Sequence, residues 1–412
     1  MNKKSSPLLT VFLAVLIDLM GFGIILPLLP FYASVFHASP IQVGLLYSIY
    51  SFAQLIFSPI WGGLSDHVGR RPIMLLSTFG ASAAYLLFAF SQSLGVLFLS
   101  RLLAGMMGGN ISTAQAYVAD VTTHENRAKG MGLIGAAFGI GFVIGPAVST
   151  LLIHPKWSQF FHLTENFRFV VPGFFASLLS FLSFLLVYFK LPETITTGHP
   201  PVQNNGIEKF SVFSKSFWRL IIPNKSEEGL SPIPKLILAL FLIIFAQANL
   251  YSSFPLFCNR QLGLSAEKVG MLFALMGGIA ILIQGGLIKH LVKKFGEVKL
   301  FFTGNILLTL GLALIPFSSS IHSLILTLGL MSLGGSLNVP TLNSLISKEA
   351  HPSKLGKMMG TSQGIASLSR VLGPTWGGFL YHVGFRLPFL STACLLIVTI
   401  FIGWNQLRLA KS

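Results

Sequence analysis

Acidic residues are scarce in this chain of 412 residues. It holds 12 Asp and Glu against 28 Lys and Arg, which gives a formal net charge of +16 at neutral pH. Charged residues of both signs make up only 10% of the chain, whereas 53% is hydrophobic. This balance excludes an ordinary soluble domain, in which about a quarter of the residues are charged.

The chain also lacks the patterns of several kinds of functional site. Its two cysteines, Cys258 and Cys394, offer neither a disulfide framework nor metal-ligand spacing. It contains no G-x-x-x-x-G-K-[ST] phosphate loop and no H-E-x-x-H metal motif. We therefore expect no enzyme activity, no catalytic residues, no metal and no cofactor, and no transport driven by ATP.

Apolar runs of about 20 residues, the length that crosses about 30 Å of hydrocarbon, recur along the chain. We count twelve, at residues 7–33, 41–64, 72–91, 94–119, 127–152, 168–189, 233–257, 266–288, 298–317, 321–346, 354–380 and 386–407. Residues 191–232 are polar, and we predict that they form a cytoplasmic linker. The prediction is an all-α membrane protein with six-helix bundles at residues 1–190 and 233–412.

The basic residues indicate the topology. If the N-terminus is cytoplasmic, 21 Lys and Arg fall on the cytoplasmic side and 5 on the other, with Arg101 and Arg370 inside spans. Cytoplasmic loops carry the excess of basic residues, so we predict that both termini are cytoplasmic. Because these residues are scattered over short loops, the positive charge does not indicate a nucleic-acid partner.

The two halves repeat short patterns at matching positions, which predicts two pseudo-symmetric bundles. The matched pairs are residues 39–44 with 265–270, residues 62–64 with 285–287, Lys129 with Lys357, Gly132 with Gly360, and residues 145–146 with 373–374. Parallel repeats of this kind build the halves of one large class of secondary transporters.

Residues 61–72 form the only dense cluster of charge and glycine in the first hundred residues. Their pattern, G-x-L-x-D-x-x-G-R-R-P, resembles the signature loop between helices 2 and 3 of the major facilitator superfamily. Residues 21–30 match the G-x5-P-x-x-P pattern of its twelve-helix drug/proton antiporters, and residues 141–146 resemble their G-x-x-x-G-P motif. The resemblance implies a secondary transporter of a bacterial inner membrane, working by alternating access.

Within that branch the chain resembles the tetracycline/proton antiporters most. Three positions depart from them, however: Ala84 stands where those exporters carry a carboxylate, and Ala280 and Leu308 lie near their histidine and a second carboxylate. A metal–tetracycline chelate needs such polar partners. The resemblance therefore implies the fold, and a substrate other than tetracycline.

Asp18 is the only acid deep inside a predicted span. A charge there is costly unless it is paired, solvated or neutralised by a proton. At 1.5 Å per residue, Asp18 and Arg101 lie at depths that differ by only a few Å. We predict that they carry proton coupling; the alternative is a structural ion pair between helices 1 and 4.

The resemblance implies a cytoplasmic latch in the loop at residues 62–71, here called the latch loop. Asp66 would face the start of helix 11, and Arg70 would reach Asp120 at the end of helix 4. The alternative is an ordinary solvated loop. The latch residues are Gly62, Asp66, Gly69, Arg70, Arg71 and Asp120.

Two further groups of residues could have either a functional role or a role in helix packing. The antiporter-motif residues Gly141, Gly145 and Pro146 either seal the protein against proton leak or let helices approach closely. Polar residues inside spans either line a substrate cavity or join helices. They are Gln54, Asn110, Gln115, Gln247, Asn249, Asn338, Asn343, Gln363 and Arg370.

The function predicted from the sequence is proton-coupled export of a small amphipathic compound or drug. The expected partners are the substrate, protons and membrane lipid, and the expected state is a monomer. The alternatives are a dedicated exporter of a metabolite or siderophore, a proton-symport importer, and a membrane receptor or scaffold that transports nothing.

Overall fold

A computed structural model of the protein describes residues 7–153, 169–194, 232–349 and 355–409. Most of the predicted linker lies outside these residues. So do ten of the basic residues used for the topology, namely Lys3, Lys4, Lys156, Arg168, Lys209, Lys215, Arg219, Lys225, Lys354 and Lys411.

Every regular element in the described ranges is helical. In lipid, a helix satisfies all of its backbone hydrogen bonds internally, which is why apolar runs take this form. The helices are α1 (Pro7–Ile25), α2 (Leu29–Val35), α3 (Pro40–Val68), α4 (Arg70–Ala89), α5 (Leu94–Gly108), α6 (Ile111–Val121), α7 (His124–Leu152), α8 (Val170–Lys190), α9 (Ile233–Leu262), α10 (Ala266–Ile281), α11 (Ile288–Phe295), α12 (Glu297–Leu314), α13 (Ile321–Glu349), α14 (Leu355–Val383) and α15 (Leu387–Leu409).

These helices account for the twelve predicted spans. Eleven stretches in the described chain are long and apolar enough to cross a membrane. The remaining span is α14, which has 29 residues and is rich in glycine and serine. The protein is thus an all-α membrane protein of twelve transmembrane helices in two bundles.

The α-helix is interrupted in three predicted spans, and in the eighth a π-helical segment, Leu282–Leu287, joins α10 to α11. The first ends its regular helix at Ile25 and resumes at Leu29, because Pro27 and Pro30 cannot donate backbone hydrogen bonds. The fourth breaks between α5 and α6 at Gly109 and Asn110. The second break turns the side chain of Asn110 into the protein, where it is only 2% exposed.

The described helices group into two compact units. The first contains α1, α2, α4 to α8, the part of α3 from Ile49 onward, and Ser265–Ala274 at the start of α10. The second contains α9, α11 to α15, the rest of α10, and Ser39–Ser48 at the start of α3. The predicted boundaries at residues 190 and 233 stay a prediction.

Close packing explains why the start of α3 belongs to the second unit. A Cβ on Gly44 would collide with the backbone of Pro374 in α14. Beside it, Ser48 Oγ donates to the carbonyl of Val371 at 2.5 Å and accepts from Thr375 Oγ1 at 2.7 Å. Such small and hydroxylated residues let membrane helices approach closely.

Candidate functional site

A carboxylate–amide pair lies inside the first unit; Asp18 is half-buried and Asn110 is buried. Asn110 Nδ2 donates to Asp18 Oδ2 at 2.7 Å. The second carboxylate oxygen, Oδ1, is shielded from solvent and has no hydrogen-bond partner among the described residues. The helix break at Gly109 and Asn110 makes the contact possible, because it aims the amide of the fourth span at α1.

Arg101 lies in an aromatic cage on the same side of the first unit. It is 2% exposed, and its guanidinium carbon is 5.0 Å from the ring centre of Phe88, 5.7 Å from that of Tyr85 and 5.8 Å from that of Tyr50. A desolvated cation over ring faces gains favourable cation–π energy. The Tyr85 ring also faces α1, because its Cε2 would lie 2.8 Å from a Cβ on Gly21, in the helix that carries Asp18. A direct pair of Asp18 with Arg101 stays a prediction.

The antiporter-motif glycines pack α7 against α1. A Cβ on Gly145 would lie 2.6 Å from Gly23 Cα, and one on Gly141 would lie 2.7 Å from Leu19 Cβ. Pro146 Cδ would lie 3.3 Å from a Cβ on Gly23. The contacts are those expected of residues that permit close helix packing. On α1 this interface runs from Leu19, next to Asp18, to Gly23, about 1.4 turns from Asp18 at 3.6 residues per turn.

Arg70 is the centre of the latch loop. Its Nε donates to Asp120 Oδ2 at 3.0 Å, and Nη1 forms an ion pair with Asp66 Oδ1 at 2.5 Å. Nη1 also donates to Ser65 Oγ at 2.6 Å. Because the arginine side chain is only 9% exposed, these charge-assisted bonds are partly protected from solvent. Asp66 thus pairs within its own loop; its predicted approach to the start of helix 11 remains a prediction.

Glu193 joins this network from the end of α8. Its Oε1 accepts from the backbone N–H of Arg70 at 3.0 Å, and Oε2 accepts from that of Arg71 at 3.1 Å. These are the first two N–H groups of α4, so the carboxylate caps the positive end of the helix. Thr194 Oγ1 donates to Asp120 Oδ2 at 3.1 Å, which ties the same segment to α6.

The glycines of the latch loop give the room that this arrangement needs. Gly69 has φ +108°, a backbone conformation that residues with a Cβ rarely adopt. A Cβ there would also lie 2.5 Å from Glu193 Oε2. Gly62 faces Ser112 Oγ, which would lie 3.3 Å from an added Cβ. Arg71 Nη2 donates to the carbonyl of Tyr188 at 2.7 Å.

In the second unit, two of the predicted polar residues join helices. Asn249 Nδ2 donates to the carbonyl of Pro388 at 3.2 Å, linking α9 to α15. Asn338 Nδ2 donates to Asn305 Oδ1 at 3.1 Å, and Thr399 Oγ1 donates to the same oxygen at 3.1 Å. Asn249, Asn338 and Asn305 are fully buried, so their contacts are those of helix-joining residues.

The remaining polar candidates are spread over both units. Gln54 Nε2 donates to the carbonyl of Gly108 at 3.0 Å. Gln247 approaches Gly335, where its Nε2 would lie 2.8 Å from an added Cβ. The half-buried residues are Gln115, Gln247 and Arg370, and the exposed ones are Asn343 and Gln363.

Sequence reasoning missed several of these residues. Glu193 fell in the segment predicted to be a linker. It follows the C-terminal end of α8, where the helix dipole disfavours a carboxylate, so its position in the sequence gives no signal that it caps α4. Asn305 and Thr399 were not singled out, because a three-helix contact leaves no pattern along the chain. The rings around Arg101 were hidden among 37 phenylalanines and 8 tyrosines.

Comparisons with known proteins agree with the architecture. The family profile described as Major Facilitator Superfamily matches residues 11–294 and 236–408. The protein named Tetracycline resistance protein, class B, of Escherichia coli is 29% identical over 407 residues, covering 93% of this chain and 92% of that protein. Multidrug resistance protein 2 of Bacillus subtilis is 28% identical over 411 residues, covering 97% and 95%.

Among solved structures, the human organic anion transporter MFSD10 matches with a TM-score of 0.69. The sequences are 26% identical, and the match covers 98% of this chain and 100% of that one.

Proposed function

The chain belongs to the major facilitator superfamily, and from that premise we propose that it exports a small amphipathic compound in exchange for protons. That it is a membrane transporter of small molecules follows from the family. The direction, the coupling ion, the substrate and a monomeric state are the proposed part, as are the cytoplasmic termini and a bacterial inner membrane.

The proposal of proton coupling rests on the environment of Asp18. The carboxylate is held by Asn110 on one oxygen and lacks a hydrogen-bond partner on the other among the described residues. A carboxylate with a shielded oxygen of this kind is stable in a membrane helix only while water, a proton or a cation binds to it. Binding and release of a proton at Oδ1 would therefore change the charge beside Tyr85 and Arg101 once per cycle.

The network around Arg70 supports alternating access as the mechanism. It joins the latch loop, the end of α6 and the segment after α8 through Asp120 and Glu193. We propose that these contacts stabilise one state of the transport cycle. Their loss would then shift the population between states by no more than the few kcal/mol that they contribute.

The residues at the tetracycline-specific positions support a different substrate. Ala84 is buried in an apolar cluster with Tyr50 and Ala104, and Leu308 is fully buried. Neither position offers a polar partner to a metal chelate. The names of the relatives, which include multidrug and organic anion transporters, agree with export of an amphipathic compound.

The position of Arg370 supports a substrate that carries an anionic group. It is half-buried and lies 15 residues into the 29 residues of α14, about 22 Å along the helix at 1.5 Å per residue. This central position is too deep for its side chain to reach a helix end by snorkelling. An arginine at mid-membrane attracts a carboxylate or phosphate electrostatically.

Transport assays in proteoliposomes test the proposal. A thermal-shift screen in detergent first selects compounds that stabilise the protein, since binding raises apparent stability. The panel pairs anionic compounds with neutral analogues. An imposed proton gradient should then drive movement of the selected compound, and Arg370→Gln should weaken transport of the anionic member more than Arg370→Lys does.

Each alternative has its own result in this assay. Substrate and protons moving in the same direction would indicate a symport importer, and turnover of one metabolite only would indicate a dedicated exporter. A compound that binds but never crosses the vesicle membrane would indicate a receptor or scaffold and would overturn the proposal.

A further inference from the structure

The short helix α11, at the end of the eighth span, is amphipathic. At 3.6 residues per turn, its four basic side chains occupy a face about 140° wide; these residues are Lys289, His290, Lys293 and Lys294. The opposite face packs through Leu291 and Val292 against a buried cluster formed by Ile283, Leu300 and Leu337. The helix is therefore held on the protein while its basic face points away from it.

The lysines on this face are exposed, and none has a carboxylate within ion-pair distance among the residues that the structure describes. The acid that follows α11, Glu297, pairs with Lys348 Nζ at 2.7 Å and accepts from Ser344 Oγ at 2.8 Å. The positive charge of α11 thus remains available to an external anion.

The corresponding loop of the first half is arranged differently. At the offset that aligns residues 62–64 with 285–287, Asp66 corresponds to Lys289, and Arg70 and Arg71 correspond to Lys293 and Lys294. In the first half the arginines bond within the protein, to Asp66, Asp120 and the carbonyl of Tyr188. In α11 the acid is replaced by a base, so the second half has a cationic face in place of an internal network.

Exposed apolar side chains flank α11 at its two ends: Leu282 and Leu287 precede the helix, and Phe295 is its last residue. Leu282, Leu287 and Phe295 are 67%, 51% and 44% exposed, and Lys294 Nζ lies 5.2 Å from the ring centre of Phe295. Cationic and large apolar groups side by side are the chemistry of a surface at the boundary of headgroups and acyl chains.

We propose that the basic face of α11 binds the headgroups of anionic phospholipids in the adjacent leaflet, with Leu282, Leu287 and Phe295 against the acyl chains. Lysines near a membrane surface act as point charges on lipid phosphates, and each contributes about a fivefold gain in partitioning. By the predicted topology this is the cytoplasmic leaflet. The site serves to hold the end of the eighth span at the membrane surface and is independent of the substrate.

Lipid binding to the purified full-length protein tests this site. Native mass spectrometry counts phosphatidylglycerol bound in mixed micelles, with phosphatidylcholine as the uncharged reference. The variant is Lys289→Gln with Lys293→Gln and Lys294→Gln. The matched control, Lys190→Gln with Lys235→Gln and Arg408→Gln, removes the same charge from exposed residues that lie on three different helices, α8, α9 and α15, and therefore share no basic face.

Affinity for phosphatidylglycerol should fall about a hundredfold in the α11 variant, at about fivefold for each lysine, and should change less than twofold in the control. Replacing the same three lysines by arginine should retain binding. Glycerol 3-phosphate, which lacks acyl chains, should not compete. Equal losses in the α11 variant and the control, or competition by glycerol 3-phosphate, would overturn the proposal.

If the triple variant does not fold, Lys293→Gln against Lys235→Gln makes the same comparison at about fivefold. Because lipid binding is measured without substrate or proton gradient, its failure is distinguishable from failure of the proposed transport function.

Discussion

Replacing Gly145 by alanine should force α7 away from α1. The added Cβ would lie 2.6 Å from Gly23 Cα and 2.7 Å from Gly23 C, whereas carbon atoms in contact prefer about 3.5–4.0 Å. Since both neighbours are backbone atoms, no rotamer change relieves the clash, and the helices must separate by about 1 Å. Overpacking of this kind costs about 1–3 kcal/mol.

Gly139 provides the matched control, because it lies on the same helix and a Cβ there meets no atom within 4 Å. Alanine in place of a helical glycine stabilises by about 0.5–1 kcal/mol. Gly139→Ala should therefore be slightly more stable than the parent protein and Gly145→Ala less stable. Because the gain in helix propensity is common to both variants, the difference between them is the cost of the clash, about 2 kcal/mol.

Unfolding of the two purified variants in detergent, followed by heat or denaturant, measures this difference. A Gly145→Ala protein as stable as Gly139→Ala would refute the packing argument. The same proteins in liposomes separate the two readings of the motif. If Gly145→Ala stays folded but dissipates an imposed proton gradient without substrate, the glycine also contributes to a proton seal.

Three further predictions concern the latch loop and the topology. Glu193→Ala should destabilise the protein by about 1 kcal/mol, the usual value of a lost helix cap, and Glu193→Gln by less, because the amide oxygen still accepts; thermal unfolding measures both, and a Gln variant as unstable as the Ala variant would mean that the charge supplies the stabilisation and the neutral hydrogen bond does not. Arg70→Ala should lower the initial transport rate of inserted protein while Arg70→Lys retains part of it, and an unchanged rate in Arg70→Ala would leave only a solvated loop. A reporter fused after Ser412 should read as cytoplasmic, and an external signal would contradict the predicted topology.

The long-range architecture was predictable from the sequence because lipid imposes it. Spans of about 20 apolar residues must form helices, and the latch-loop pattern implied that Arg70 reaches Asp120. The breaks within the first and fourth spans were harder to predict from the sequence. The prolines at 27 and 30 and the glycine pair at 108 and 109 are the local signals for them, but apolar composition alone masked both breaks.

Side-chain partners between helices could not be read from the chain. Asp18 stood out because an acid in a span is costly, but its contact with Asn110 depends on how α1 meets the break before α6. Glu193 acts as a cap only once α8 and α4 are neighbours in space. The depths of Asp18 and Arg101 were comparable by helical rise, yet depth alone does not say which ring or amide lies between two charges.

The central claim is that Asp18 couples proton movement to substrate. Asp18→Asn keeps the size of the side chain and can still bond to Asn110, but it cannot titrate. Substrate-dependent proton flux in proteoliposomes, with protein shown to be folded and Glu349→Gln as the control for loss of an exposed carboxylate, is the direct measurement. We predict that Asp18→Asn still binds the compound selected by thermal shift but exchanges no protons for it, while the control behaves as the parent protein. A well-folded Asp18→Asn protein that exchanges protons for substrate at the parent ratio would contradict the account.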